Sequence, residues 1–232
     1  MRVRVSRGKA ALFCLLAVGF LRGAGLAGAA TTDNLQHLVA TGGSLSIGNM
    51  TFSSFDFLAS GLTSFDASQI RVTASVSGGV YYLAWAGNMS LVSNGPATAD
   101  LVLNYRVTAS AGLINMIDQF YTGSAQPTGS SFLSIDETVR DTTGRVVANS
   151  HLDGSDFSDP FAEPGDNLFI NPGQQTLDVT KDLGFGLASG GFVTISEVRQ
   201  SFHQVPEPGT KGLLVIGLAI GAILTFRLRR KA

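Results

Sequence analysis

A chain of 232 residues with 28 glycines, 7 prolines and 14% charged residues has room for one ordinary domain plus processing segments. Its formal net charge of −1 hides an uneven spread: ten of the 16 Lys and Arg lie before Thr31 or after Val205, and between Thr31 and Gln204 six basic residues face sixteen acidic ones, a net charge of −10. Such a body repels phosphate backbones, which argues against nucleic acid as a partner, and a lone cysteine, Cys14, excludes any intrachain disulfide.

The chain opens with basic residues at Arg2, Arg4, Arg7 and Lys9, continues with an apolar run over residues 10–21, and then reaches a small-residue stretch ending AGAA. That order is a secretory signal over residues 1–30, with cleavage expected after Ala29 or Ala30. The stretch GAGLAG fits G-x-G-x-x-G at Gly23, Gly25 and Gly28, but lacks the preceding strand, following helix and distal acid that a dinucleotide site needs.

Residues 31–204 read as one β-rich ectodomain. DNLQHLVATGG predicts a short helix, with Asp33 as N-cap, Gly42 or Gly43 as the stop, and His37 on its polar side. QIRVTASV, LVLNYRVT and GRVVANSH alternate with a period of two; in the second, Leu101, Leu103, Tyr105 and Val107 share one face. VYYLAWAG is aromatic and suits a sheet interior. Turn chemistry at SGG, SNGP, AQPTG, DTTG and NPGQ separates the short strands, which predicts a β-sandwich of nine to eleven strands, with a jelly-roll arrangement as one form it can take.

Catalytic spacing is missing. No serine sits in a G-x-S-x-G frame, and His37, His151 and His203 neither pair at ligand spacing nor join a cysteine in the mature chain. An enzyme is not expected, and His203 is expected to be solvated beside a linker. The stretch HLDGSDFSDPFAEPGDN carries Asp153, Asp156, Asp159, Glu163 and Asp166 among Gly and Pro. Calcium takes six to eight oxygens from such loops, so these five carboxylates form a weak calcium candidate, weighed against a merely solvated acidic loop. No other cofactor is expected. The N-x-[ST] sites at Asn49 and Asn88 mark glycosylation only where that machinery operates.

The carboxyl end reads VPEPGTKGLLVIGLAIGAILTFRLRRKA. Residues 212–226 carry no charge; at 1.5 Å per residue they cover roughly 22 Å of a roughly 30 Å hydrocarbon core, and Lys211 and Arg227 can extend the span by lifting their charges to the interfaces. A transmembrane helix over about 211–228 is expected, with Arg227, Arg229, Arg230 and Lys231 on the cytoplasmic side and the body outside. Pro206 and Pro208 remove amide donors and hold their neighbours extended, a form suited to a protease cleft.

Together, Pro206-Glu207-Pro208, the short apolar helix and the terminal Arg/Lys cluster resemble the PEP-CTERM sorting signal of exported bacterial proteins. The stretches NLQHLVATGGSLSIGNMTFSSFDF and TLDVTKDLGFGLASGGFVTISEVRQSFHQVPEP resemble a recurring group of ectodomains that carry this signal. The resemblance implies that residues 205–232 form a sorting and anchor segment, with Pro206, Glu207 and Pro208 recognised by an exosortase, a membrane-embedded cysteine transpeptidase-like enzyme. It also implies that the basic cluster acts as a stop and that the chain is a substrate of this machinery. The expected path is export through the inner membrane, a membrane-anchored precursor, then the cell surface or extracellular matrix. The expected role is structural or adhesive in the extracellular polymer or biofilm matrix; the alternative is a carbohydrate-binding module for extracellular polysaccharide, with Tyr81, Tyr82, Trp85 and Tyr121 as candidate aromatic contacts. Core packing is the other use open to Trp85.

Overall fold

The computed structural model describes residues 30–126, 131–153 and 166–205. The expected signal segment up to residue 29 and the sorting segment from residue 206 onward, with its expected helix at about 211–228, lie outside the described residues. Among the described residues no helix is long and apolar enough to cross a membrane.

The elements in chain order are β1 (Thr31–Asn34), α1 (Leu35–Thr41), β2 (Leu45–Ile47), β3 (Met50–Ser60), β4 (Arg71–Ser77), β5 (Val80–Ser93), β6 (Ala97–Ala109), β7 (Leu113–Gln126), β8 (Ser131–Arg140), β9 (Val146–Asp153), β10 (Asp166–Gln174), β11 (Thr176–Leu187) and β12 (Gly191–Val205). They form two six-stranded antiparallel sheets, β1-β4-β5-β12-β7-β10 and β2-β3-β6-β11-β8-β9. Strands β5-β12-β7-β10 and β6-β11-β8-β9 follow the jelly-roll order of two Greek keys, and the remaining strands widen both sheets on one side. The twelve strands among the described residues exceed the expected nine to eleven because β1 and β2, of four and three residues, are too short to display an alternation.

Alternation decides which side chains meet between the sheets. Leu101, Leu103, Tyr105 and Val107 of β6 are all buried, and β8 and β11 repeat the pattern with Leu133, Ile135 and Val139 and with Leu177, Val179, Leu183 and Phe185. Tyr105 packs against Trp85 across the sandwich, ring centroids 5.2 Å apart, while Phe202 lies 6.4 Å from Tyr105 and 5.2 Å from Phe52. Trp85 is therefore a core residue, only 1% exposed. Tyr81 and Tyr121 are partly buried against the same core. The expected four-membered aromatic surface does not form, because Trp85 and Tyr121 share an inward row of the β5-β12-β7 ladder and Tyr81 lies on the same inward face, beyond the Leu83–Gln200–Gln119 row.

Among the described residues the connections follow the turn chemistry with two corrections, while residues 127–129 of AQPTG lie outside the described residues. Gly78 and Gly79, at φ 58° and 84°, close the β4–β5 hairpin between Ser77 and Val80, the paired positive φ that a tight primed turn needs. NPGQ closes nothing: it lies inside β10, where the register with β7 shifts between Phe169 and Gln174. The N-cap of α1 is Asn34, whose side chain accepts the His37 N–H at 2.8 Å; Asp33 still belongs to the β1 ladder opposite Val72. Asp33 instead holds the exposed His37 ring at 2.7 Å, and Gly42 ends the helix in the left-handed conformation at φ 62°.

Candidate functional site

The sorting segment begins where a central strand ends. Strand β12 is bonded to β5 on one side and β7 on the other, and its last ladder pair is Val205 with Leu113, directly before Pro206. Side chains lock this end. Asn49 donates to the Ala111 carbonyl at 2.7 Å and to Gln204 Oε1 at 3.0 Å, and Gln204 donates to Ala111 O at 3.3 Å. Gly112, at φ 78°, lets the chain pass so close to Val205 that a Cβ there would meet its carbonyl oxygen at 3.0 Å. The described residues thus end at Val205, on a strand locked on both sides. Pro206, Glu207 and Pro208 and the basic cluster Arg227, Arg229, Arg230 and Lys231 lie outside the described residues.

A second feature is polar and buried. Sequence reasoning singled out none of Gln119, Glu137, Lys181 or Gln200, yet all four sit between the sheets at 3% exposure or less. Their strands place them in two facing rows, Ser150–Glu137–Lys181 across β9-β8-β11 and Asp166–Gln119–Gln200 across β10-β7-β12. Lys181 Nζ donates to Glu137 Oε2 and to Gln119 Oε1, each at 2.7 Å. Gln200 donates to the other Glu137 oxygen and accepts from the Tyr105 hydroxyl. Gln119 Nε2 in turn donates to Ser150 Oγ at 2.8 Å and Asp166 Oδ2 at 3.2 Å, both on the half-buried β9–β10 side. Burial, and secondarily the Glu137 charge, pushes the Tyr105 phenol well above its ordinary value. A signal for this cluster is present in the sequence: Glu137 and Lys181 occur in phase with the apolar, inward positions of their own strands.

A third feature lies on the outer face of the β5-β12-β7 sheet. Arg199 sits between two rings, its guanidinium 5.7 Å from the Tyr82 centroid and 5.0 Å from that of Phe120. Ser201 and Asp118 continue the same face in the row of Tyr82. His203 also belongs to it; it is half-buried within β12, with Nε2 3.2 Å from Ser201 Oγ, and is not a solvated linker residue.

The acidic stretch is only partly visible. Asp153 ends β9 opposite Ser134, and Asp166 begins β10 opposite Gln119; Asp156, Asp159 and Glu163 lie outside the described residues. Among the described residues no group of three His, Cys, Asp or Glu is placed to hold a metal ion. On the opposite outer face, Asp182 stands beside Asp136, which pairs with the His151 ring at 2.7 Å. Partial burial and then the charges of Asp100 and Asp136 raise the Asp182 carboxyl.

Comparison with solved structures finds distant likenesses. A Glycosylation Associate Protein (Gap123) complex from Streptococcus agalactiae is similar at 12% identity and a TM-score of 0.30, over 70% of this chain and 27% of that one. A carbohydrate-binding module of the β-sandwich superfamily is similar at 10% identity and a TM-score of 0.25, over 69% and 58%; the enzymatically active domain of bacteriophage CBA120 tailspike protein 4 at 14% and 0.26, over 69% and 20%. The chain spans less than two thirds of each of these proteins, and likenesses at such TM-scores carry no argument about it. No curated protein matches the chain. Residues 204–231 match the PEP-CTERM protein-sorting motif, so the segment that follows β12 is the PEP-CTERM signal of an exported protein.

Proposed function

We propose that this chain is an exported β-sandwich delivered through its PEP-CTERM segment to the cell surface or extracellular polymer matrix, where it serves as a structural or adhesive component. The observation that carries the reading is the motif match at residues 204–231, attached to a locked central strand. An exosortase would grip the extended segment around Pro206, Glu207 and Pro208 while the apolar helix holds the precursor in the membrane and the basic cluster holds its end inside. Removing residues 206–232 should convert a membrane-associated, processed protein into a soluble, unprocessed body, read by fractionation and intact mass. Identical mass and location with and without the tail would refute the reading.

The Tyr82–Arg199–Phe120 face supports a second reading, a glycan-binding module. Two rings flanking a guanidinium, with Ser201 and Asp118 beside them, offer stacking and hydrogen bonding to a sugar ring. On a glycan array, signal that disappears in Arg199→Ala and Tyr82→Ala supports this reading; signal unchanged by both removes that face from consideration.

A further inference from the structure

We infer that Lys181 and Gln119 form an intramolecular Nε-(γ-glutamyl)-lysine bond that staples the two sheets together, with Glu137 as the proton carrier. Lys181 lies on β11 and Gln119 on β7, in opposite sheets, so a bond between them joins the two layers covalently. Lys181 is 0% exposed, Glu137 1% and Gln119 3%. A nucleophile, an acyl group and a general base are thus held together away from water, where competing hydrolysis is suppressed.

The geometry supplies each part of the reaction. Lys181 Nζ is 2.7 Å from the carboxamide oxygen of Gln119, and the carbonyl carbon lies one C=O bond, about 1.2 Å, beyond that oxygen. Glu137 Oε2, also 2.7 Å from Nζ, takes a proton from the ammonium and frees its lone pair. Nζ then bonds to Cδ of Gln119. The protonated Glu137 steadies the oxyanion and returns its proton to the departing nitrogen. As the Cδ–Nε2 bond breaks, the two protons shed by Nζ leave on Nε2, so the products are one secondary amide and one ammonium ion. Nε2 already points to Ser150 Oγ and Asp166 Oδ2 on the half-buried β9–β10 side, and the Asp166 carboxylate attracts the cation that forms there.

No oxidant or cofactor is needed, and the buried ammonium, costly to keep in a core, is consumed. The chain has a single cysteine, so a disulfide cannot provide this link. The tether adds a reason for one: load from the anchor enters at β12, the strand between β5 and β7, and the staple ties the adjacent β7 to the other sheet.

Peptide mapping of the exported full chain, denatured and digested with trypsin, tests this. The expected product is a branched species joining residues 107–140 to residues 146–199, uncut at Lys181, lighter than the two peptides together by one ammonia, with fragments placing the link at Gln119. Complete cleavage at Lys181 with both peptides at unmodified mass overturns the proposal. A link lighter by one water and mapped to Glu137 overturns the choice of Gln119. In Glu137→Gln, linkage should be roughly a hundredfold slower; a branched species as abundant as in the parent would remove Glu137 from the reaction, and should that variant not fold, the parent's map decides alone.

Discussion

The Tyr105 ring lies among Phe55, Trp85 and Phe202, and its hydroxyl donates to the buried Gln200. Replacing it by phenylalanine keeps the ring and leaves the Gln200 oxygen without that donor, so Tyr105→Phe should cost about 1–3 kcal/mol, read from urea unfolding. The phenol also links stability to pH. Its folded pKa is raised, so the neutral form is the one the fold favours. That contribution is complete below the ordinary value of 10.0 and is lost as pH rises through the higher folded value. One of the four tyrosines should therefore reach the tyrosinate spectrum only with unfolding; full tyrosinate absorbance in a still-folded protein would contradict this. Arg199 illustrates the other side of the sheet, where one residue before Gln200 in β12 the same alternation turns a side chain from core to surface.

At the level of elements, the β8–β9 hairpin depends on one carboxylate. Asp141 Oδ1 accepts from the Thr143 hydroxyl at 2.6 Å, the Thr143 N–H at 2.9 Å and the Arg145 N–H at 3.1 Å, while Oδ2 accepts from Arg145 Nε at 3.0 Å. The Thr143 hydroxyl is the main cause that holds this carboxyl down to about 2. A depressed carboxyl stabilises the fold above its ordinary value of 3.8 and loses that contribution as pH falls through about 2. Asp141→Asn should therefore lower the melting temperature at neutral pH, with the gap to the parent closing between about pH 4 and pH 2; a gap that stays constant over that range would show that charge is not what the turn uses. DTTG was readable as a turn because Asp, Thr and Gly at these offsets make one locally. NPGQ carries equally strong turn chemistry and is absorbed into β10, since β7 offers the flanking residues a ladder on either side of the irregularity.

At the scale of the molecule, an acidic body is followed in sequence by a basic tail, and the acidic stretch over residues 153–166 links in sequence β9 and β10, each the last strand of its sheet. Calcium held there would stabilise the folded state by mass action. We propose that millimolar calcium, the range of extracellular modules, raises the melting temperature of the full chain and that Asp156→Asn with Asp159→Asn abolishes the rise; an unchanged melt in the parent would end the idea. Asp166, the last carboxylate of that stretch, and Ser150 both accept from the buried Gln119.

Sequence alone settled what depends on local pattern: the period of two that makes strands, the glycine pair that closes β4–β5, the existence of a short helix within DNLQHLVATGG though not its cap, and the tail whose prolines, apolar run and basic cluster are contiguous. The in-phase placement of Glu137 and Lys181 with core positions was present in the sequence too, but it marked no site until the strands were paired. Which strands lie side by side was left to the tertiary structure, because ladder partners such as β8 and β11, or β7 and β12, are distant in the chain and are selected by packing two apolar faces at once. That packing turned Trp85 inward, set Arg199 between two rings, and brought a lysine, a glutamate and a glutamine from two sheets into hydrogen-bonding contact.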